Sequence, residues 1–225
     1  MRVEYINNNG YLIETNKAVY VFDFVDGFLP ATYLRKNKPL IFFVTNNDKE
    51  HYSQSIYSYR KTVVFSYDIP QEPYNKVFKL YPNEMLHLGF AKVYTRPTTR
   101  DGLVYIIKED DKTFIHAGNL NNYHYQEFSS EKRVELETQS FNACLNDLLE
   151  FENPDVLIFP LNPHIGFNYE YGAKRSVRLL KPKHFFPTQF RRLNEINNFI
   201  NFSETEKKTQ FHFPKFNNQE FMIND

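Results

Sequence analysis

Five consecutive apolar residues, Leu40-Ile41-Phe42-Phe43-Val44, constrain this chain more than any other segment. A strand with one wet face alternates apolar and polar side chains, whereas an unbroken apolar run needs cover on both faces. That demand points to a layered α/β arrangement. The run ends in Thr45-Asn46-Asn47-Asp48-Lys49-Glu50-His51-Tyr52, a polar loop leaving the end of a buried strand. Folds of this class hold ligands at such strand ends, which makes Asn46, Asp48, Glu50 and His51 the first candidate site residues.

The remaining pattern supplies the other layers. Residues 2–6 alternate, and Asn7-Asn8-Asn9-Gly10 turns the chain. Tyr11–Glu14 and Ala18–Asp23 read as two strands joined by a hairpin turn at Asn16-Lys17. A short helix is predicted over 51–59 and a strand over Thr62–Ser66. Segments near 77–81, 85–88, 91–95, 103–108 and 113–116 read as a meander of antiparallel strands. Helical period follows in 131–151, with Leu136, Ser140, Ala143, Cys144, Leu145, Leu148 and Leu149 on one face. Val156–Phe159 reads as a buried strand, 169–180 as a helix, His184–Pro187 as a short strand and 190–200 as a last helix. Residues 203–225 are a polar tail whose structure the pattern leaves open. Hairpin-length links in the first half suit a sandwich with mixed sheets better than a doubly wound parallel sheet.

Composition narrows the function. A chain of 225 residues fits one domain, read here as 1–225, with ample material for a core. Lys+Arg 27 balances Asp+Glu 27, which argues against a nucleic-acid or membrane partner held by bulk charge. Phe 23 and Tyr 16 point to a ring-packed core. The single cysteine, Cys144, rules out a disulfide framework and suits a reducing, cytoplasmic setting. It lies in a helical pattern with no activating neighbour assigned, so a structural thiol is expected. No run approaches the roughly 20 apolar residues of a membrane span.

Polar segments recur around the apolar strands: 46–51, Thr98-Thr99-Arg100-Asp101-Gly102, His116-Ala117-Gly118-Asn119-Leu120-Asn121, and Phe185-Phe186-Pro187-Thr188-Gln189-Phe190. In this order, and with Asn9-Gly10-Tyr11-Leu12-Ile13-Glu14 followed by Val21-Phe22-Asp23, the chain resembles the metallo-β-lactamase-fold hydrolases, particularly a small bacterial subgroup of unassigned substrate. The resemblance runs from residue 1 to about 200 and implies a four-layer αββα sandwich with two mixed β-sheets. It also implies a dinuclear metal site, and here the chain departs from the pattern. The family would carry His, His, Asp and His where this chain has Asn46, Asp48, Glu50 and His51. Arg100 stands at a ligand position, Asn119 at that of the bridging Asp, Gln189 at that of the last His, and Asn8 replaces a His near the first hairpin.

Zinc pairs want imidazoles and a bridging carboxylate. Amides at 46, 119 and 189 are weak ligands, and a guanidinium repels a metal. The expectation is therefore a degenerate site without a metal, in which Arg100 pairs with Asp48 or Glu50. The pocket would be lined by Asn46, Asp48, Glu50, His51, Arg100, Asn119, His124 and Gln189, suited to a small polar ligand or a protein partner. The alternative is a hydrolase with one Mn, Mg or Zn ion on Asp48, Glu50 and His51, acting on an anionic substrate clamped by Arg100. Plainer readings stand beside these. Asp48 and Glu50 suit solvated loop charges, Asn46, Asn119 and Asn121 suit turn residues, and His124 suits ring packing. His116 and His184 read as satisfied core histidines and His164 as a surface residue.

Overall fold

The computed structural model describes residues 1–27, 29–35, 37–70, 74–123 and 128–223. They form two compact units, residues 1–81 with 214–225, and residues 82–213.

In the first unit the chain runs through β1 (Arg2–Asn7), β2 (Gly10–Glu14), β3 (Val19–Phe22), a short helix α1 (Ala31–Arg35), β4 (Leu40–Val44), β5 (Thr62–Ser66) and β6 (Val77–Leu80). The far end of the chain returns as β14 (Gln219–Met222) beside β1. The sheet order is β14-β1-β2-β3-β4-β5-β6. Pairings are antiparallel as far as β3 and parallel from β3 to β6. Every residue of β3 and β4 is buried, as the unbroken apolar run requires. Val21, Phe42, Val44 and Phe65 share a core with Ile56 and Tyr33, each such side chain contributing about 1.5–3 kcal/mol by leaving water. The helix expected over 51–59 is a 3-10 turn at Gln54–Tyr59, capped by the Ser53 hydroxyl.

The second unit contains β7 (Met85–His87), β8 (Lys92–Pro97), β9 (Leu103–Glu109), β10 (Lys112–His116), α2 (Glu131–Asn146), β11 (Val156–Pro160), α3 (Tyr171–Leu180), β12 (His184–Thr188), α4 (Asn197–Thr205) and β13 (Gln210–Phe211). Its sheet order is β13-β12-β11-β10-β9-β8-β7. Pairings are antiparallel from β7 to β10 and parallel from β10 to β13.

Two expectations need correcting. Residues 77–80 do not open the meander: β6 pairs parallel with β5 and closes the first sheet. Alternation reports a strand but not its partner. The buried face of α2 is Glu137, Phe141 and Leu145, continued by Leu148, while Leu136 and Leu149 are exposed. A carboxylate on the inner face misled the phase. The tail, left open by the pattern, supplies β13 and β14, one strand to each sheet.

Candidate functional site

In the first unit the polar residues gather where β3 and β4 end. Asp23 follows β3 on left-handed backbone at φ 44°, a conformation Asp tolerates better than most residues. Its carboxylate is fully buried and accepts from the Thr45 backbone N–H at 2.8 Å and the Thr45 hydroxyl at 2.8 Å. Nδ1 of His51 lies 2.8 Å from Asp23 Oδ2 and 2.9 Å from Thr45 Oγ1. The loop curls around the Asp48 carbonyl, which accepts from the backbone N–H groups of His51 and Tyr52.

The other face of the ring meets Asn9. Nδ2 of Asn9 donates to the Glu50 carbonyl at 3.0 Å and lies 3.3 Å from His51 Nε2. An amide nitrogen only donates, so in the neutral ring this contact uses the Nε2 lone pair and the proton sits on Nδ1, towards Asp23. Burial disfavours the charged ring, but Asp23, and behind it Asp48 and Glu50, outweigh burial and push the His51 pKa up. A carboxylate behind an imidazole is the arrangement that orients a metal-bound histidine. Here the opposite nitrogen faces an amide. Asn9 makes this contact, whereas Asn8 is a turn residue at φ 41°.

The other loop candidates divide by exposure. Asn46 is buried and its Oδ1 accepts from the Asp48 backbone N–H at 2.8 Å. Asp48 and Glu50 are exposed, as solvated loop charges would be. Among the described residues no group of three or more His, Cys, Asp and Glu is placed to hold a metal ion.

In the second unit the candidates follow β10 and β12 and precede β9. The Thr99 hydroxyl donates to the Asn121 carbonyl at 2.6 Å and accepts from the Asn121 backbone N–H at 3.1 Å, stapling two loops. Gln189, at φ 62°, donates from Nε2 to Asn119 Oδ1 at 3.0 Å. The sequence-predicted residues 119 and 189 thus meet each other. Arg100 belongs to the second unit, and its partners there are on α2 and in the loop after β10. Its guanidinium lies 3.6 Å from Glu137 and 4.8 Å above the Tyr123 ring. Glu137 also pairs with Arg133 one turn earlier on α2. Glu137 is nearly shielded from water, so it gains from both cations.

His116 is buried, and its Nδ1 accepts from the Gly118 backbone N–H at 3.2 Å, as a satisfied core histidine would. His184 is likewise satisfied, with Nδ1 3.0 Å from His212 Nε2. His164 is exposed. His124 lies outside the described residues. Cys144 is half-buried, and burial with help from Asp147 pushes its thiol pKa up, as suits a structural role. Sequence reasoning missed Asp23, Thr45 and Asn9. Asp23 closes an apolar strand and Asn9 tips a hairpin, and those positions were the available signals.

No protein-family model matches the chain, and no curated protein matches it. Solved structures do. A possible metal-dependent hydrolase from Veillonella parvula superposes with a TM-score of 0.67 at 12% identity, over 99% of both chains. The metallo-β-lactamase-fold protein YhfI from Bacillus subtilis superposes at 0.60 with 14% identity, over 98% of both. This chain has the metallo-β-lactamase fold. CmlA, a diiron β-hydroxylase from Streptomyces venezuelae, matches at 0.64 and 9% identity over 99% of this chain and 54% of its own, so the chain spans about half its length. The α/β architecture with two mixed sheets is the one expected for the metallo-β-lactamase fold. Among the described residues no helix is long and apolar enough to cross a membrane.

Proposed function

We propose that this chain is a metallo-β-lactamase-fold protein, one domain over 1–225, whose inherited metal positions have become a hydrogen-bonded polar network. It would act without metal-dependent hydrolysis and bind a small polar ligand or a protein partner. The observation that carries this reading is the 3.0 Å hydrogen bond from Gln189 to Asn119. By resemblance these two positions belong to a metal-binding histidine and the bridging aspartate. As amides they satisfy one another, and neither brings the negative charge that holds two divalent ions together. Asn9 at Nε2 of His51 supports the same reading, because that lone pair is the one an ion would need. These donors do not suit a dinuclear zinc centre.

The single-ion hydrolase would require His51 to leave Asn9, and Asp48 and Glu50 to turn in from solvent. Metal analysis of protein purified without chelator separates the two readings, backed by calorimetric titration with zinc, manganese and magnesium. The proposal expects substoichiometric metal and no saturable heat. One tightly held ion per chain, lost on His51→Ala, overturns it.

A further inference from the structure

The outer face of α3 carries a stripe of cations. Lys174, Arg175, Arg178 and Lys181 recur at the three- and four-residue steps that place side chains on one helical surface. The inner face, with Ala173, Val177 and Leu180, is buried, so this stripe looks outward by helical geometry. Two cavities lie along it. One of about 270 Å³ is lined by Tyr171, Lys174, Arg175, Arg178 and Leu179. The other, about 240 Å³, shares Arg178 and adds Lys181, Glu206 and Lys208.

The groove has an apolar floor and a charged rim. Lys174 and Arg178 sit 5.5 and 5.1 Å from the Phe202 ring, which holds their charged ends over an aromatic surface. Three cations already engage carboxylates: Lys174 with Glu170 at 3.2 Å, Arg178 with Glu206 at 3.4 Å, and Lys181 with Glu152 at 3.9 Å. Arg175 and Lys208 are exposed and have no carboxylate partner among the described residues. The stripe from Tyr171 to Lys181 spans about 15 Å at the helical rise, the length of four or five extended residues.

We propose that this groove docks a short acidic peptide segment of a protein partner, with one apolar side chain over Tyr171 and Leu179 and its carboxylates on Arg175, Arg178 and Lys208. Charge complementarity selects this occupant. A nucleic-acid backbone presents unbroken negative charge and favours an uninterrupted basic track. Here Glu170, Glu206 and Glu152 interleave with the cations and would repel it. A peptide can space its carboxylates around them. The inference rests on α3 and α4 and does not depend on whether metal is bound elsewhere.

The test is fluorescence anisotropy of the full chain with two labelled pentapeptides, Glu-Asp-Phe-Glu-Asp and Glu-Asp-Leu-Glu-Asp. Controls are the same peptides with lysine for each acid, and a labelled oligouridine of equal charge. At least one acidic peptide should bind, with affinity falling as salt rises. Arg175→Glu with Lys208→Glu should weaken it by about tenfold or more while leaving the melting temperature unchanged, since neither side chain supports the fold. Failure of both acidic peptides to bind overturns the proposal. So does binding that the double variant leaves intact, or tighter binding of the oligouridine.

Discussion

The two units share a strand plan and differ in what they place at its turning point. Each sheet is antiparallel up to one strand, β3 or β10, and parallel beyond it. The residues after β3 and β4 form a buried network with real charge, Asp23 with Thr45 and His51. The residues after β10 and β12 form a neutral amide pair, Asn119 with Gln189, and the nearby cation is directed to Glu137. The first edge buries a carboxylate against an imidazole. The second pairs two amides. In each, these polar groups find a hydrogen-bonding partner within their own unit.

If that comparison is right, the charged edge carries more stability than the amide edge. Asp23→Ala should cost the most, about 3–5 kcal/mol, because it strands a buried imidazole and the Thr45 N–H. Urea unfolding reads it, and a loss no larger than that of Gln189→Ala would break the comparison. A second test concerns acid and lies in the second unit. His212 stacks on Phe186 at 4.4 Å and shares a hydrogen bond with His184. Burial, then the neighbouring His184, depresses the His212 pKa to about 4 from 6.5. Burial likewise lowers that of His184, against the pull of Asp155. The unfolded chain then binds more protons below pH 6.5, so stability is complete above that value and drains away as pH falls towards about 4. Allowing for partial screening, the loss is about 1–3 kcal/mol, and His212→Phe should flatten the profile in an acid titration of the melting temperature.

Smaller effects sharpen the picture of the amide edge. A Cβ built on Gly172 would run into Oδ1 of Asn121, which is fixed by its bond from the Asn122 N–H at 2.9 Å. Gly172→Ala should therefore cost about 1–2 kcal/mol by overpacking, seen as a lowered denaturant midpoint. Gln189→Ala should cost least, about 1 kcal/mol for one net hydrogen bond. A loss several times larger would mean that this edge, too, depends on a stiff buried network.

Much of the fold was legible. The run Leu40–Val44 announced a strand covered on both faces, and β4 is buried throughout. Hairpin-length links announced mixed sheets. What stayed hidden depended on long-range partners. Glu4 is a charged residue of the alternating run 2–6, yet it is buried under Tyr33 and Asn218, which lie far away in the sequence. Glu137 concealed the phase of α2 because two arginines make its burial tolerable. The placement of Asn46 and His51 after a strand of the first unit, and of Asn119 and Gln189 after strands of the second, was legible. Their pairings were not, since hydrogen bonds follow distance in space and not along the chain.

Residue types alone determined that polar loops around the strands of a layered α/β chain would carry amides and a guanidinium at 46, 119, 189 and 100. Chemistry is local in that sense: an amide is a weak ligand wherever it sits. Only the tertiary structure decided that Asn9 meets the Nε2 of His51, that Arg100 turns to Glu137, and that β14 joins β1. Those choices rest on which buried group most needs a partner, and burial exists only once the chain has closed on itself.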